Sequence, residues 1–226
     1  GDLASYKKFD EILTKANLPD HLYPKLLMGN HDDRQIFKSH FTITQTDKNG
    51  FVQYDIEIED KRFLFLDTVQ KNSHAGHYCD KRQSWLENKL DESLKKSQNV
   101  FLFMHHNPFP LVQLESDLIG LLDRDRFRYI IENYKNIIKH IFFGHQHITV
   151  SGNYVGIPFS SPRSINHPLV PNFSNEYRLG SANTEPSYNI ALINNDSLII
   201  HNEDFLKVET NWFETTKSGW IEESDN

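Results

Sequence analysis

The sequence predicts an α/β fold, and three observations predict it. Short apolar runs alternate with amphipathic stretches, without internal repeats. Two of the runs, "RFLFLDT" and "NVFLFM", are almost entirely apolar, as strands covered on both faces are. Three runs end in polar clusters, "GNHDD", "MHHNP" and "GHQH", and in α/β sheets the loops at the carboxyl ends of the strands gather on one rim, where sites form.

The elements follow in order. Residues 5–16 place Phe9, Ile12, Leu13 and Ala16 at helical spacing, so a helix packing that stripe is expected. "YPKLLM" reads as a strand that stops at Gly29, and "DRQIFKSHF" as one or two helical turns. "VQYDIEIE" alternates Val52, Tyr54, Ile56 and Ile58 on one face and pairs with "RFLFLDT" as a hairpin. "CDKRQSWLENKLDESLKK" is an amphipathic helix capped at Asp80, offering Trp85, Leu86 and Leu90 to the core. "NVFLFM" is a buried strand, about Leu118 to Tyr134 a helix, and "IIKHIFF" another strand. "NYVGIPFSS" and "YNIALINNDSLIIHNEDF" read as sheet, the latter with a turn at Asn194 to Asp196. From Lys217 onward the chain is polar and expected to fray.

Composition narrows the function. At 226 residues, 38% hydrophobic and with 16 Phe, the chain can bury its own core. A net charge of −7 argues against tracking a nucleic-acid backbone. A single cysteine, Cys79, forbids an intramolecular disulfide and points to the cytoplasm. No apolar run approaches the roughly 18 residues of a membrane span.

The polar clusters carry the chemistry. Strand alternation would turn His145 and His147 the same way, toward one point. Taken alone, such a pair reads first as surface histidines at a strand end. Beside Asn30, His31, His105 and His106 it reads as a ligand set of imidazole, amide and carboxylate without thiolate, which suits manganese, iron, cobalt or zinc ions and excludes zinc-finger chemistry. Asp32 and Asp33 read as loop anchors or helix caps, Asp67 as a residue tying down its loop, and His74 and His77 as solvated loop residues or cleft lining.

Together with "GD" at residues 1–2, these motifs resemble the calcineurin-like metallophosphoesterases, most closely the branch of class III cyclic nucleotide phosphodiesterases and glycerophosphodiesterases. The resemblance spans residues 1 to about 165. It implies a four-layer α/β/β/α sandwich with two mixed β-sheets, a metallophosphoesterase domain over 1–205 and a tail over 206–226. It implies two divalent metal ions (Mn, Fe, Zn or Co). Asp2 would bridge them, Asn30, His105 and His145 would serve the second, and His147 the first. His31 would assist the leaving oxygen. His106 would stand behind the ligands or in the pocket wall, and His167 would touch substrate or shape its loop. The family begins with an Asp-x-His strand whose ligands complete the first site. This chain starts at the later Gly-Asp, which leaves the first site incomplete; the first β-α-β segment is expected upstream of Gly1, the alternative being a fragment that binds one metal weakly and turns over slowly.

The implied activity is metal-dependent hydrolysis of a small phosphodiester, a cyclic nucleotide such as cAMP or a glycerophosphodiester. The alternatives are a phosphomonoesterase or nuclease of the same superfamily, or an inactive relative that binds metal and phosphate. A homo-oligomer is compatible with the sequence.

Overall fold

A computed structural model describes residues 1–112, 117–206 and 209. The expected α/β class holds. Six strands form a mixed sheet in the order β1-β2-β3-β4-β6-β5: β1 Tyr54–Ile58, β2 Lys61–Leu66, β3 Asn99–Met104, β4 Ile138–Phe142, β5 Val150–Tyr154 and β6 Ile157–Ser161. The inner four run parallel, and β1 and β5 close the edges antiparallel. Two antiparallel pairs complete the strands, β7 (Leu169–Val170) with β8 (Gly180–Ser181) and β9 (Ser187–Ile193) with β10 (Leu198–Asp204). The turn expected at Asn194 to Asp196 joins β9 to β10, closed by Asn194 N–H donating to the Ser197 carbonyl at 2.8 Å.

Side-chain alternation divides the faces of the main sheet. Leu64, Leu66, Val100, Leu102, Met104, Ile138 and Ile141 share a core cluster with Leu86 and Leu90 of α3 (Asp80–Lys95) and with Phe127, Ile130 and Ile131 of α4 (Arg124–Asn133). The opposite face is an aromatic ladder in which Phe63 stacks on Phe101, Phe65 on Phe103 and Phe103 on Phe142, with centroids 5.2, 5.0 and 4.7 Å apart. A second core cluster, Tyr6, Met28, Phe37, Phe41, Val52 and Val69, joins α1 (Leu3–Ala16) to α2 (Arg34–His40) and seats the loop between Met28 and α2. Burying each phenylalanine there stabilises the fold by roughly 1.5–3 kcal/mol.

Several local expectations need correction. Helix α1 begins at Leu3 because Asp2 caps it, and it buries Tyr6; Phe9 only edges Phe41, and Ile12 is exposed. The run before Gly29 is not a strand: it has no ladder partner among the described residues, and Met28 is held by the second core instead. Cys79, not Asp80, is the cap position of α3, with Asp80 in the first turn. The helix expected from about Leu118 to Tyr134 is broken: Leu118 is helical, residues 119–123 are not, and α4 begins at Arg124. Before it, Gly120 lies so close to Asn107 that a Cβ would come within 2.8 Å of the Asn107 amide nitrogen, and its carbonyl accepts from Gly76 N–H at 3.0 Å. The segment from Lys217 lies outside the described residues.

Candidate metal centre

Parallel register sets the height of every strand end. Leu66 of β2 is level with Met104 of β3, and Phe103 with Phe142 of β4, so Asp67, His105 and Gly144 leave the sheet at one level. Gly144 N–H then donates to the His105 carbonyl at 3.0 Å, bringing the third polar cluster against the second.

The first cluster is held by its acids. Asp32 accepts from Gly29 N–H at 2.7 Å and from the Tyr6 hydroxyl at 2.8 Å, and Asp33 caps α2 by accepting from Gln35 and Ile36 N–H. Arg34 makes a two-pronged bond to fully buried Asp67, at 2.7 and 2.8 Å, fastening the loop to the end of β2. These are the anchoring roles expected of the three acids.

Three donor atoms converge at the centre of the rim. Asn30 Oδ1 lies 2.9 Å from His105 Nε2, which lies 3.2 Å from His145 Nδ1. Bonds of about 2.1 Å to one cation give ligand separations of about 3.0 Å in an octahedron and 3.4 Å in a tetrahedron. The observed separations therefore fit a shared first-row ion. Tutoring by backbone carbonyls strengthens the fit. His145 Nε2–H donates to the Ile119 carbonyl at 3.0 Å, which leaves Nδ1 bare and turned toward His105.

His106 differs. Its ligand atoms lie within 4.8 Å of those of His105 and His145, but its two nitrogens are occupied: Nε2–H donates to the His74 carbonyl at 3.1 Å, and Nδ1 accepts from the Thr68 hydroxyl at 2.7 Å. It can ligate only by breaking one of these bonds. Glycines let both rings approach the backbone. A Cβ on Gly29 would meet the His105 ring at 2.8 Å, and one on Gly76 the His106 ring at 2.6 Å.

Burial and neighbouring histidines keep the cluster neutral. The His105 imidazole is held well below the usual range, His106 at about 3 and His145 at about 4, with desolvation the leading cause in each. Burial also lowers His147, against the pull of the His167 carbonyl. Neutral imidazole is the form that binds metal.

The pair His145 and His147 arises differently from the strand alternation expected of it. Strand β4 ends at Phe142, and both histidines adopt left-handed backbone, with φ of 68° and 55°. Between them Gln146 is buried and donates to the Asn107 side chain. Each left-handed non-glycine residue costs of order 1–2 kcal/mol. The strain is concentrated where the ligand atoms are aimed.

The remaining expected residues lie farther out. His147 Nδ1–H donates to the His167 carbonyl at 2.9 Å, leaving Nε2 unprotonated, and Leu169 N–H returns a bond to the His147 carbonyl at 3.0 Å. His167 is exposed, its ring 4.3 Å from that of His147. Asp2 is also exposed. Its Oδ1 accepts from Ser5 N–H at 2.7 Å, a bond that holds its carboxyl below the usual range, and no contact among the described residues brings it to the three-donor cluster. Its neighbour Gly1 bonds to the His31 carbonyl. His31 is exposed on a cleft of about 550 Å³, lined also by Asn30, Gln35, Lys71, Asn72 and His74.

Sequence reasoning missed the partners that aim these groups. Asn107 and Gln146 lie inside the quoted motifs and could have been suspected of linking them. The Ile119 carbonyl and the Thr68 hydroxyl carry no sequence signal.

The sequence matches the family model for calcineurin-like phosphoesterase over residues 1–149. It is 29% identical over 208 residues to a "Probable cyclic nucleotide phosphodiesterase" of Rhodopseudomonas palustris, covering 91% of this chain and 74% of that protein. To the "Glycerophosphodiester phosphodiesterase GpdQ" of Enterobacter lignolyticus it is 31% identical over 131 residues, covering 55% of this chain and 45% of that protein. A dimetal phosphatase from Danio rerio superposes with a TM-score of 0.51 at 17% identity, over 61% of this chain and 59% of that one, a likeness of fold.

Proposed function

Because the chain belongs to the calcineurin-like phosphoesterase family, we propose that it hydrolyses a small phosphodiester at the rim formed by Asn30, His31, His105, His145 and His147. The observation that carries the reading is that Asn30 Oδ1 and His145 Nδ1 both lie within hydrogen-bonding distance of His105 Nε2, three metal-binding atom types beside a cleft of small-molecule size. The substrate class is a cyclic nucleotide or a glycerophosphodiester, the chemistries named for the two relatives.

A divalent cation bound there would supply Lewis-acid activation of water near neutral pH and positive charge for the phosphoryl oxygens. Asn30, His105 and His145 would hold it, with His147 and Asp2 the donors available to a second ion. The carbonyls of Ile119 and His167 fix the tautomers of His145 and His147, so neither ring must turn when a cation enters. His31 faces the cleft from the residue next to Asn30. It meets the departing oxygen there and gives it a proton. His106 holds the His74 loop against the ligands and does not enter the reaction. No helix among the described residues is long and apolar enough to cross a membrane, and the lone cysteine fits a reducing compartment.

The test is a hydrolysis panel with manganese, comparing bis(p-nitrophenyl) phosphate, cAMP, a glycerophosphodiester, p-nitrophenyl phosphate and single-stranded DNA. Faster turnover of small diesters than of the monoester or DNA is expected, and the reverse order would favour the phosphatase or nuclease alternative. No turnover by a metal-loaded protein would make it a binding relative. His31→Ala should lower kcat about 10²–10⁴-fold on a diester with an alkyl leaving group, less with p-nitrophenol, at unchanged metal content.

A further inference from the structure

His74 enters the sequence as a loop histidine without assigned chemistry, and the structure sets it against the centre. Its Nδ1 lies 3.1 Å from Asn30 Nδ2, its carbonyl accepts from His106 Nε2–H at 3.1 Å, and its ring meets the His31 ring edge-on with centroids 5.6 Å apart. A tight turn holds it: Ala75 N–H donates to Ser73 Oγ at 3.0 Å, and that hydroxyl donates to the Ala75 carbonyl at 3.1 Å. The backbone of the loop is thus fixed on one side of the site by a buried histidine that does not ligate.

The consequence concerns the Asn30 amide. One end of an amide accepts and the other donates, and the two have nearly the same shape, so a half-turn about the last side-chain bond exchanges them. Only the oxygen end offers a lone pair to a cation. An acceptor placed at the nitrogen end selects the productive orientation, and the His74 ring nitrogen supplies it. With Nδ2 donating to His74, Oδ1 is left facing His105 Nε2 at 2.9 Å, where the cation would sit. We propose that His74 is a positioning residue that locks the Asn30 amide oxygen toward the cation, so that this loop, remote in sequence from every ligand, sets the affinity of the site. The inference rests on the metal-centre reading above and deepens it.

The test uses the full chain, manganese and calorimetric titration, with metal-free thermal melting alongside. His74→Ala should weaken manganese binding about 10–100-fold, the range of supporting contacts around metal ligands. The metal-free melting temperature should stay at the wild-type value, because the side chain is exposed. His74→Asn, whose Oδ1 can accept where Nδ1 did, should recover most of the affinity. Wild-type-like binding by His74→Ala overturns the inference, as does equal weakening in both variants, which would mark a packing role. If the wild-type chain itself binds no manganese, the metal-centre reading fails. Strong wild-type binding with an unaffected His74→Ala removes only the role given to His74.

Discussion

The two sides of the histidine rim are built to different standards. On one side, Asn30, His105 and His145 come from three different segments and place their donor atoms 2.9 and 3.2 Å apart, behind glycine and carbonyl supports. On the other, His147 is supported by a single carbonyl from an exposed loop, and Asp2 spends one carboxylate oxygen on capping a helix. The first side is organised before any ion arrives. The second must be gathered by the ion, and ordering side chains costs entropy that lowers affinity. The contrast predicts unequal sites, one firm and one weak.

The largest effect expected is that of His105→Ala, which removes the atom shared by both short donor contacts. Calorimetry should find no binding at micromolar manganese, whereas His147→Ala should change the tighter affinity by less than about threefold, as a separate site would. Equal losses in the two variants would erase the distinction. Gly29→Ala sharpens it further. Its Cβ must displace the His105 ring, and affinity should fall about 10–100-fold. Gly144→Ala is the control, since its Cβ would sit 3.8 Å from the same ring, an ordinary contact, and binding should be retained.

A smaller effect concerns stability against pH, measured without metal. His140, on β4 below the rim, is 4% exposed, shares one hydrogen bond with Ser160 at 2.9 Å, and its Nδ1 has no partner among the described residues. Burial pushes it down to about 4, from an ordinary value of 6.5. The unfolded chain therefore binds more protons between those values. The stability tied to the neutral ring is complete above about pH 6.5 and is lost as pH falls toward 4, about 3 kcal/mol at most. His140→Phe should flatten urea-unfolding stability over that window by part of this amount. An unchanged slope would assign the pH dependence to the rim histidines, whose lowered values act in the same direction.

How much of this could be read from the sequence differs between backbone and site. Periodicity located β1 to β4, α2, α3 and the β9–β10 hairpin, because each buries a regular face. It misplaced α1's packing, since Tyr6 is buried in the second core whereas Phe9 and Ile12 stay exposed. It also turned the run before Gly29 into a strand, because a ladder requires a neighbour that pattern alone does not supply. In the site, residue types and order singled out Asn30, His105, His145 and His147 as candidates, of which the structure brings the first three together, but alternation gave the wrong reason for the last two. Left-handed backbone at His145 and His147 depends on Gln146 reaching buried Asn107, a contact between distant segments. The position of His74 is equally a product of tertiary structure, and composition treats it as any loop histidine.

The central claim is that one cation sits between Asn30, His105 and His145. Anomalous diffraction from crystals soaked in manganese, recorded for the ion's own signal, tests it most directly. The account predicts the strongest peak about 2.1 Å from Asn30 Oδ1, His105 Nε2 and His145 Nδ1, with the Ile119 and Thr68 bonds intact. A strongest peak bound through His106, or one away from these three residues, would contradict it.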